Sequence, residues 1–185
     1  MTGSDSASSF KSLKILAIHR YYWPDTSPYG AILRRIVKRW VDDGHNVDVL
    51  SSQPSYKAAL KNEKMPRRSK LDGSRVIRLS LPGEAGRPLI RLLNALRLCW
   101  AIVLRALFLR RYDVIMVSTT PPVLGGVAAA LLARLAGARF IYHCMDIHPE
   151  IGRISGEFRN PVVYKTLALL DAWSCRRAAP VVVLS

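Results

Sequence analysis

The stretch Phe140 to Gly152, "FIYHCMDIHPEIG", is an apolar run that ends in Asp146, His148 and Glu150. These residues alternate, so an extended chain would turn all three to one side. Several chemistries use such groups. With His143 they imitate a metal-ligand set, but Pro149 and the turn it implies would disturb a rigid one, and no metal is expected. A carboxylate at the end of a buried strand can instead act as a base or bind substrate hydroxyls. The plain reading is that Asp146 caps a turn and Glu150 pairs with a nearby arginine. On spacing alone the plain reading prevails.

A second candidate is the loop "RYYWPDTSPYG", Arg20 to Gly30. It follows an apolar run and leads into a helix, where Gly30 leaves room for an anion at exposed backbone amides. It lacks the G-x-G-x-x-G fingerprint, and the second strand has no acid at its tip, so tightly held NAD is not expected. The alternative, a helix start shaped by Pro28, stands equal to the anion reading.

The third is "RPLIRLLNALRLCWAIVLRALFLRR", from Arg87 to Arg111. At helical spacing Arg87, Arg91, Asn94 and Arg105 share one narrow arc, with Arg97 beside them. The remaining circumference is apolar and includes Trp100 and Phe108, and no acid occurs between Glu84 and Asp113. Such a helix suits the interface of an anionic membrane, where each basic residue contributes about 1 kcal/mol. The alternative is a core helix covered by another subunit or domain.

These groups need a scaffold. Apolar runs predict strands at Leu13–His19, Asn46–Ser51, Arg75–Ser80, Tyr112–Ser118, Ala138–Met145 and Val181–Leu184, with helices at Ala31–Asp43, Pro88–Arg110, Pro122–Ala136 and Pro161–Arg177. Ser52–Ser74 reads as a long exposed loop. The alternation predicts an α/β fold: a Rossmann-like, doubly wound parallel sheet of about six strands. Ligands in such sheets sit at the carboxyl ends of the strands, here His19–Gly30, Ser118–Pro122 and Met145–Glu150. Residues 1–12 read as a disordered leader and 13–185 as the domain. The uncharged run Val114–Ala133 is broken by Pro121-Pro122 and Gly125-Gly126, so it predicts a strand, loop and helix, not a membrane span.

The 28 Lys+Arg against 13 Asp+Glu leave a net charge of +15, which calls for an anionic partner. Nucleic acid is not expected, because no docking motif or basic face with interleaved aromatics is present. The 3 cysteines are widely separated, which disfavours a structural zinc and suits a reducing cytoplasm.

Two segments carry a family resemblance: "KILAIHRYYWPDTSPYGAILRRIVKRWVDDGHNVDVLSS" and "YDVIMVSTTPPVLGGVAAALLARLAGARFIYHCMDIHPE". In order and spacing they resemble the N-terminal domain of family-4 retaining glycosyltransferases of the GT-B fold. The likeness is strongest to bacterial enzymes that build capsular, colanic-acid-like or O-antigen polysaccharides. The resemblance implies the acceptor-binding half of a two-domain enzyme, peripheral on the inner face of the bacterial plasma membrane. Its donor would be a UDP- or GDP-sugar, its acceptor a lipid-linked saccharide, and no cofactor is needed. It implies that Asp146 contacts or deprotonates the acceptor, with Glu150 and His148 as weaker candidates, and that Ser27, Tyr29 and Gly30 approach the donor phosphates. The C-terminal donor domain is absent from the 185 residues, so the chain alone is expected to be inactive. The alternative is a non-catalytic membrane-associated module, or a truncated product that needs a separate donor domain.

Overall fold

A computed structural model describes residues 11–54, 64–82, 88–104, 111–156 and 159–183. In chain order these form β1 (Lys14–Ile18), α1 (Pro28–Asp42), β2 (Asn46–Ser52), β3 (Arg68–Leu71), β4 (Ser74–Leu79), α2 (Pro88–Leu104), β5 (Val114–Ser118), α3 (Leu124–Ala136), β6 (Arg139–Cys144), α4 (Glu150–Ile154), α5 (Pro161–Arg177) and β7 (Val181–Val183). The strands make one 7-stranded sheet in the order β3-β4-β2-β1-β5-β6-β7. All neighbours are parallel except β3 and β4.

The central strands are buried on both faces because helices cover both. Ile15 and Ala17 of β1, with Val47, Val49 and Met116, pack under Leu33 and Val37 of α1. Leu16 and Ile18, with Leu50, Ile115 and Val117, pack under α2 and α3, where Leu98, Ile102, Ala129 and Leu132 are buried. Period-2 alternation of apolar side chains thus feeds two cores at once, which explains why these strands read as continuous apolar runs. The uncharged run Val114–Ala133 resolves into β5, a loop and α3.

The expected long loop is partly wrong, and its described end adds a seventh strand to the six read as apolar runs. Its described end folds as β3, joined to β4 by Asp72 and Gly73, with φ of 47° and 78°. Two left-handed residues in a two-residue connection are what an Asp-Gly dipeptide favours in a tight hairpin. Gly73 is also required sterically: a Cβ there would meet Val41 Cγ1 at 2.5 Å. Arg34 of α1 holds the turn through Asp72 at 2.7 Å.

Helix α1 begins one turn earlier than predicted. Ser27 is the N-cap and its side chain accepts from Gly30 N, while Pro28 occupies the first turn, where a missing N–H costs nothing. Of the helix predicted over Pro88–Arg110, Arg87, Arg105 and Phe108 lie outside the described residues. So do Leu184 and the leader residues 1–10.

One buried charge sits at the amino end of the sheet. Asp48 of β2 is enclosed; Arg75 Nε and Nη2 each lie 2.9 Å from its Oδ1, and Tyr112 Oη donates to Oδ2 at 2.8 Å. Removing one side of a buried pair strands the other. Arg75 keeps some solvent, so Asp48→Ala is expected to cost about 3 kcal/mol, mostly from the orphaned Tyr112 hydroxyl and the half-buried guanidinium. Urea denaturation measures this, and a loss below about 1 kcal/mol would show the pair to be dispensable.

Candidate functional site

The chain runs from β1 to β2 through α1 on one face, and from β5 to β6 through α3 on the other. Between β1 and β5 the strand order therefore reverses. At such a switch point the carboxyl ends of the strands open a crevice in which α/β sheets bind ligands.

Four buried polar side chains meet there. His19, just past β1, has Nδ1 2.6 Å from Ser118 Oγ at the end of β5. Tyr29, from the first turn of α1, has Oη 2.9 Å from His143 Nδ1 of β6. The His19 and Tyr29 rings meet edge to face with centroids 4.5 Å apart, and Tyr29 and His143 do so at 5.1 Å. Burial, and secondarily the charge of His143, pushes His19 down to about 3. Burial lowers His143 and raises Tyr29. All these groups are consequently neutral near pH 7. A histidine depressed so far is a poor proton acceptor near pH 7.

The first loop is pinned from three directions. Ser51 and Ser52 donate from their hydroxyls to Arg20 O at 2.9 and 2.8 Å. Arg78, buried at the end of β4, donates from Nη2 to Trp23 O at 2.9 Å and from Nη1 to Ser69 Oγ at 2.7 Å. Ser27, Tyr29 and Gly30 are all buried. Gly30 N is engaged with Ser27 Oγ, and a Cβ on Gly30 would lie 2.7 Å from that oxygen and 3.1 Å from Tyr21 O. Glycine is therefore needed for the loop to close on the helix.

The opening candidates do not line one side of a strand. β6 ends at Cys144, and the chain bends at Asp146 and turns at His148-Pro149 before α4 begins at Glu150. Asp146 is exposed; its carbonyl accepts from Cys144 Sγ at 3.4 Å and from His148 N at 3.0 Å. Among the described residues its carboxylate has no hydrogen-bond donor. Glu150 is exposed in the first turn of α4, where an acid complements the helix dipole. His148 is half-buried and its Nδ1 is enclosed without a partner. Both lie toward α5, where Asp171 accepts from Tyr142 Oη at 2.9 Å. Burial raises the Asp171 carboxyl; Glu150 raises it further and His148 opposes.

Helix α2 differs from its sequence reading in orientation. The arc shared by Arg91 and Asn94 also holds Leu98 and Ile102, and those two pack on the sheet. Asn94 is thereby drawn inside, where its Nδ2 donates to Pro82 O at 2.8 Å. The outward face is apolar instead: Leu89 is 75% exposed and Trp100 64%, with Leu92, Leu93 and Leu96 exposed between them. Arg97 is exposed at one edge of that face, and Arg91 is exposed near the amino end of the helix. Among the described residues no helix is long and apolar enough to cross a membrane.

His19, Ser118 and His143 were not singled out as a cluster by sequence reasoning. The available signal was position: His19 and Ser118 stand at ends of predicted parallel strands. What no spacing rule supplies is that α1 swings Tyr29 back between two histidines.

The sheet order, reversing between β1 and β5, defines a Rossmann-like domain. Residues 29–185 match the glycosyl transferase 4-like domain, and the chain belongs to that family. Among solved structures it is similar to CalG4, the calicheamicin glycosyltransferase, with a TM-score of 0.51 and 13% identity, covering 91% of this chain and 43% of that one. It is also similar to UGT2 of Phytolacca americana, complexed with UDP-2fluoro-glucose and pterostilbene, with a TM-score of 0.42, 13% identity and coverage of 75% and 31%. The fold is that of Rossmann-like GT-B glycosyltransferase structures such as CalG4, and the chain spans less than half the length of either matched chain. No curated protein matches the sequence.

Proposed function

We propose that this domain is the acceptor-binding side of a membrane-associated glycosyltransferase. The enzyme moves a sugar from a UDP- or GDP-sugar to a lipid-linked saccharide during bacterial cell-surface polysaccharide synthesis, at the inner face of the plasma membrane. Asp146 meets the acceptor hydroxyl, the crevice floor of His19, Tyr29, Ser118 and His143 orients the sugars, and the loop around Ser27–Gly30 faces the donor phosphates. A donor domain outside these residues supplies the nucleotide site. Family membership supports sugar transfer. The observation that carries the lipid acceptor is the outward face of α2, whose five large apolar side chains are exposed with Arg97 at their edge. A soluble acceptor would give no reason to leave that face uncovered by polar residues.

The direct test is to incubate the intact protein with radiolabelled UDP- and GDP-sugars and a bacterial lipid extract. Label should enter the solvent-extractable lipid. Transfer to water-soluble acceptors alone would overturn the lipid reading, and absence of any transfer would overturn the enzymatic one.

The α2 face has its own prediction. Leu92→Glu/Leu96→Glu should float at least tenfold less well with phosphatidylglycerol vesicles, since each buried leucine is worth about 1.5 kcal/mol or more. Equal flotation of variant and wild type would remove α2 from the interface.

A further inference from the structure

A cavity of about 360 Å³ lies at the amino end of β6, remote from the crevice. Its floor includes Ala130 and Ala133 of α3 and Phe140 of β6, and its rim carries Arg134, Arg139 and Arg177. No acid lines it, and none of the salt bridges among the described residues uses these arginines. Arg177 is held in place by stacking on Trp173, with its Cζ 5.3 Å from the ring centroid. Arg134 and Arg177 stand in the last turns of α3 and α5, where a cation complements the helix dipole. That accounts for their placement but not for Arg139, which is on a strand. Two helix ends bring roughly half a negative charge each, against three full positive charges, so the cavity remains net attractive to an anion.

The surroundings say what kind of anion. Leu135, 70% exposed, directly follows Arg134, and Leu131 is exposed one turn before it. Helix α3 packs beside α2, with Cys99 Sγ donating to Leu124 O at 3.6 Å between them. A free phosphate would use the arginines and leave the exposed leucines unexplained. A phosphate ester carrying acyl chains uses both.

We propose that Arg134, Arg139 and Arg177 form a headgroup site for the phosphate of an anionic phospholipid, with its chains along the exposed leucines of α3 and α2. The proposal rests on the membrane reading above and extends it from one helix to a two-helix platform with a built anion socket. Guanidinium groups suit the task because their planar donor forks match phosphate oxygens.

The test compares the intact wild-type protein with Arg134→Gln/Arg139→Gln/Arg177→Gln. A control, Arg35→Gln/Arg68→Gln/Lys70→Gln, removes the same charge at exposed residues far from the cavity. Flotation is read with phosphatidylglycerol and with phosphatidylcholine vesicles at equal salt. The wild type and the control should prefer phosphatidylglycerol, and the cavity variant should lose at least tenfold of that preference while keeping its binding to phosphatidylcholine. Equal losses in the cavity variant and the control would show only diffuse charge attraction and overturn the site. Full retention by the cavity variant, with loss in Leu92→Glu/Leu96→Glu, would overturn the site and leave the membrane reading standing. Failure of the wild type to bind either vesicle overturns both. Competition by millimolar inorganic phosphate as effective as competition by phosphatidylglycerol micelles would assign the cavity to free phosphate and overturn the lipid.

Discussion

Asp146→Asn in the intact protein is expected to lower the rate of sugar transfer about 100-fold or more, mainly in kcat. Positioned acid–base groups contribute about 10²–10⁴-fold, and an amide keeps the shape of the carboxylate while losing its basicity. Asp146 is the strongest candidate of its group on three physical grounds. It is exposed just past the carboxyl end of β6, it has no donor on its carboxylate among the described residues, and it is not committed to a helix terminus. Glu150, in the first turn of α4, has a structural use, so Glu150→Gln should stay within about threefold of wild type and lose a few tenths of a kcal/mol of stability. The split between kcat and KM separates the roles. A base lost leaves KM for the acceptor nearly unchanged, whereas a lost contact raises it. Transfer by Asp146→Asn at the wild-type rate would sink the assignment.

The second large effect is on stability. His19 is pushed from its ordinary 6.5 to about 3 by burial, and His143 is lowered for the same reason. The unfolded chain binds these protons below about pH 6.5, while the folded chain refuses them. The native state thus keeps its full stability above that pH and loses it as pH falls toward the folded values. His19 contributes a slope of about 1.4 kcal/mol per pH unit in that window, and His143 acts in the same direction. Between about pH 7 and pH 5, urea unfolding should show a drop of about 2 kcal/mol for His19 alone. His19→Gln keeps a partner for Ser118 and should flatten the profile by that amount. An unchanged slope in His19→Gln would show that His19 titrates normally. Asp171, raised by burial above its ordinary 3.8, acts in the opposite sense, so the difference between His19→Gln and wild type isolates the histidine.

Sequence patterns made most of the scaffold readable because burial on both sheet faces imposes continuous apolar strands, and those survive any detail of packing. The places where reading and structure part have separate causes. The β3–β4 hairpin was hidden because Arg68, Ser69 and Lys70 lack a strand's apolar pattern, as an edge strand with a solvated face does; Asp72-Gly73 was the signal to follow. The start of α1 was encoded in Ser27-Pro28, a cap followed by a first-turn proline. Asp146, His148 and Glu150 were grouped by assuming an extended chain, and β6 stops at Cys144 before any of them.

The sequence by itself determined the layer order, because alternating strand and helix runs with two-faced burial admit few other architectures. It also determined which charges are available: an excess of arginine over few acids, with Asp146 and Glu150 among those few. Only the tertiary structure decided which way each helix faces and which side chains from distant strands meet. Helix α2 shows why. Its arc of Arg91 and Asn94 was the polar stripe by composition, yet Leu98 and Ile102 on that same arc had the sheet to cover, and burying them outweighed the cost of taking in one hydrogen-bonded asparagine. The leucines were left outside, and the apolar surface that results is a property of packing that no period in the sequence states. The same holds for His19 and Ser118, 99 residues apart, which share a proton only because β1 and β5 are neighbours in the sheet.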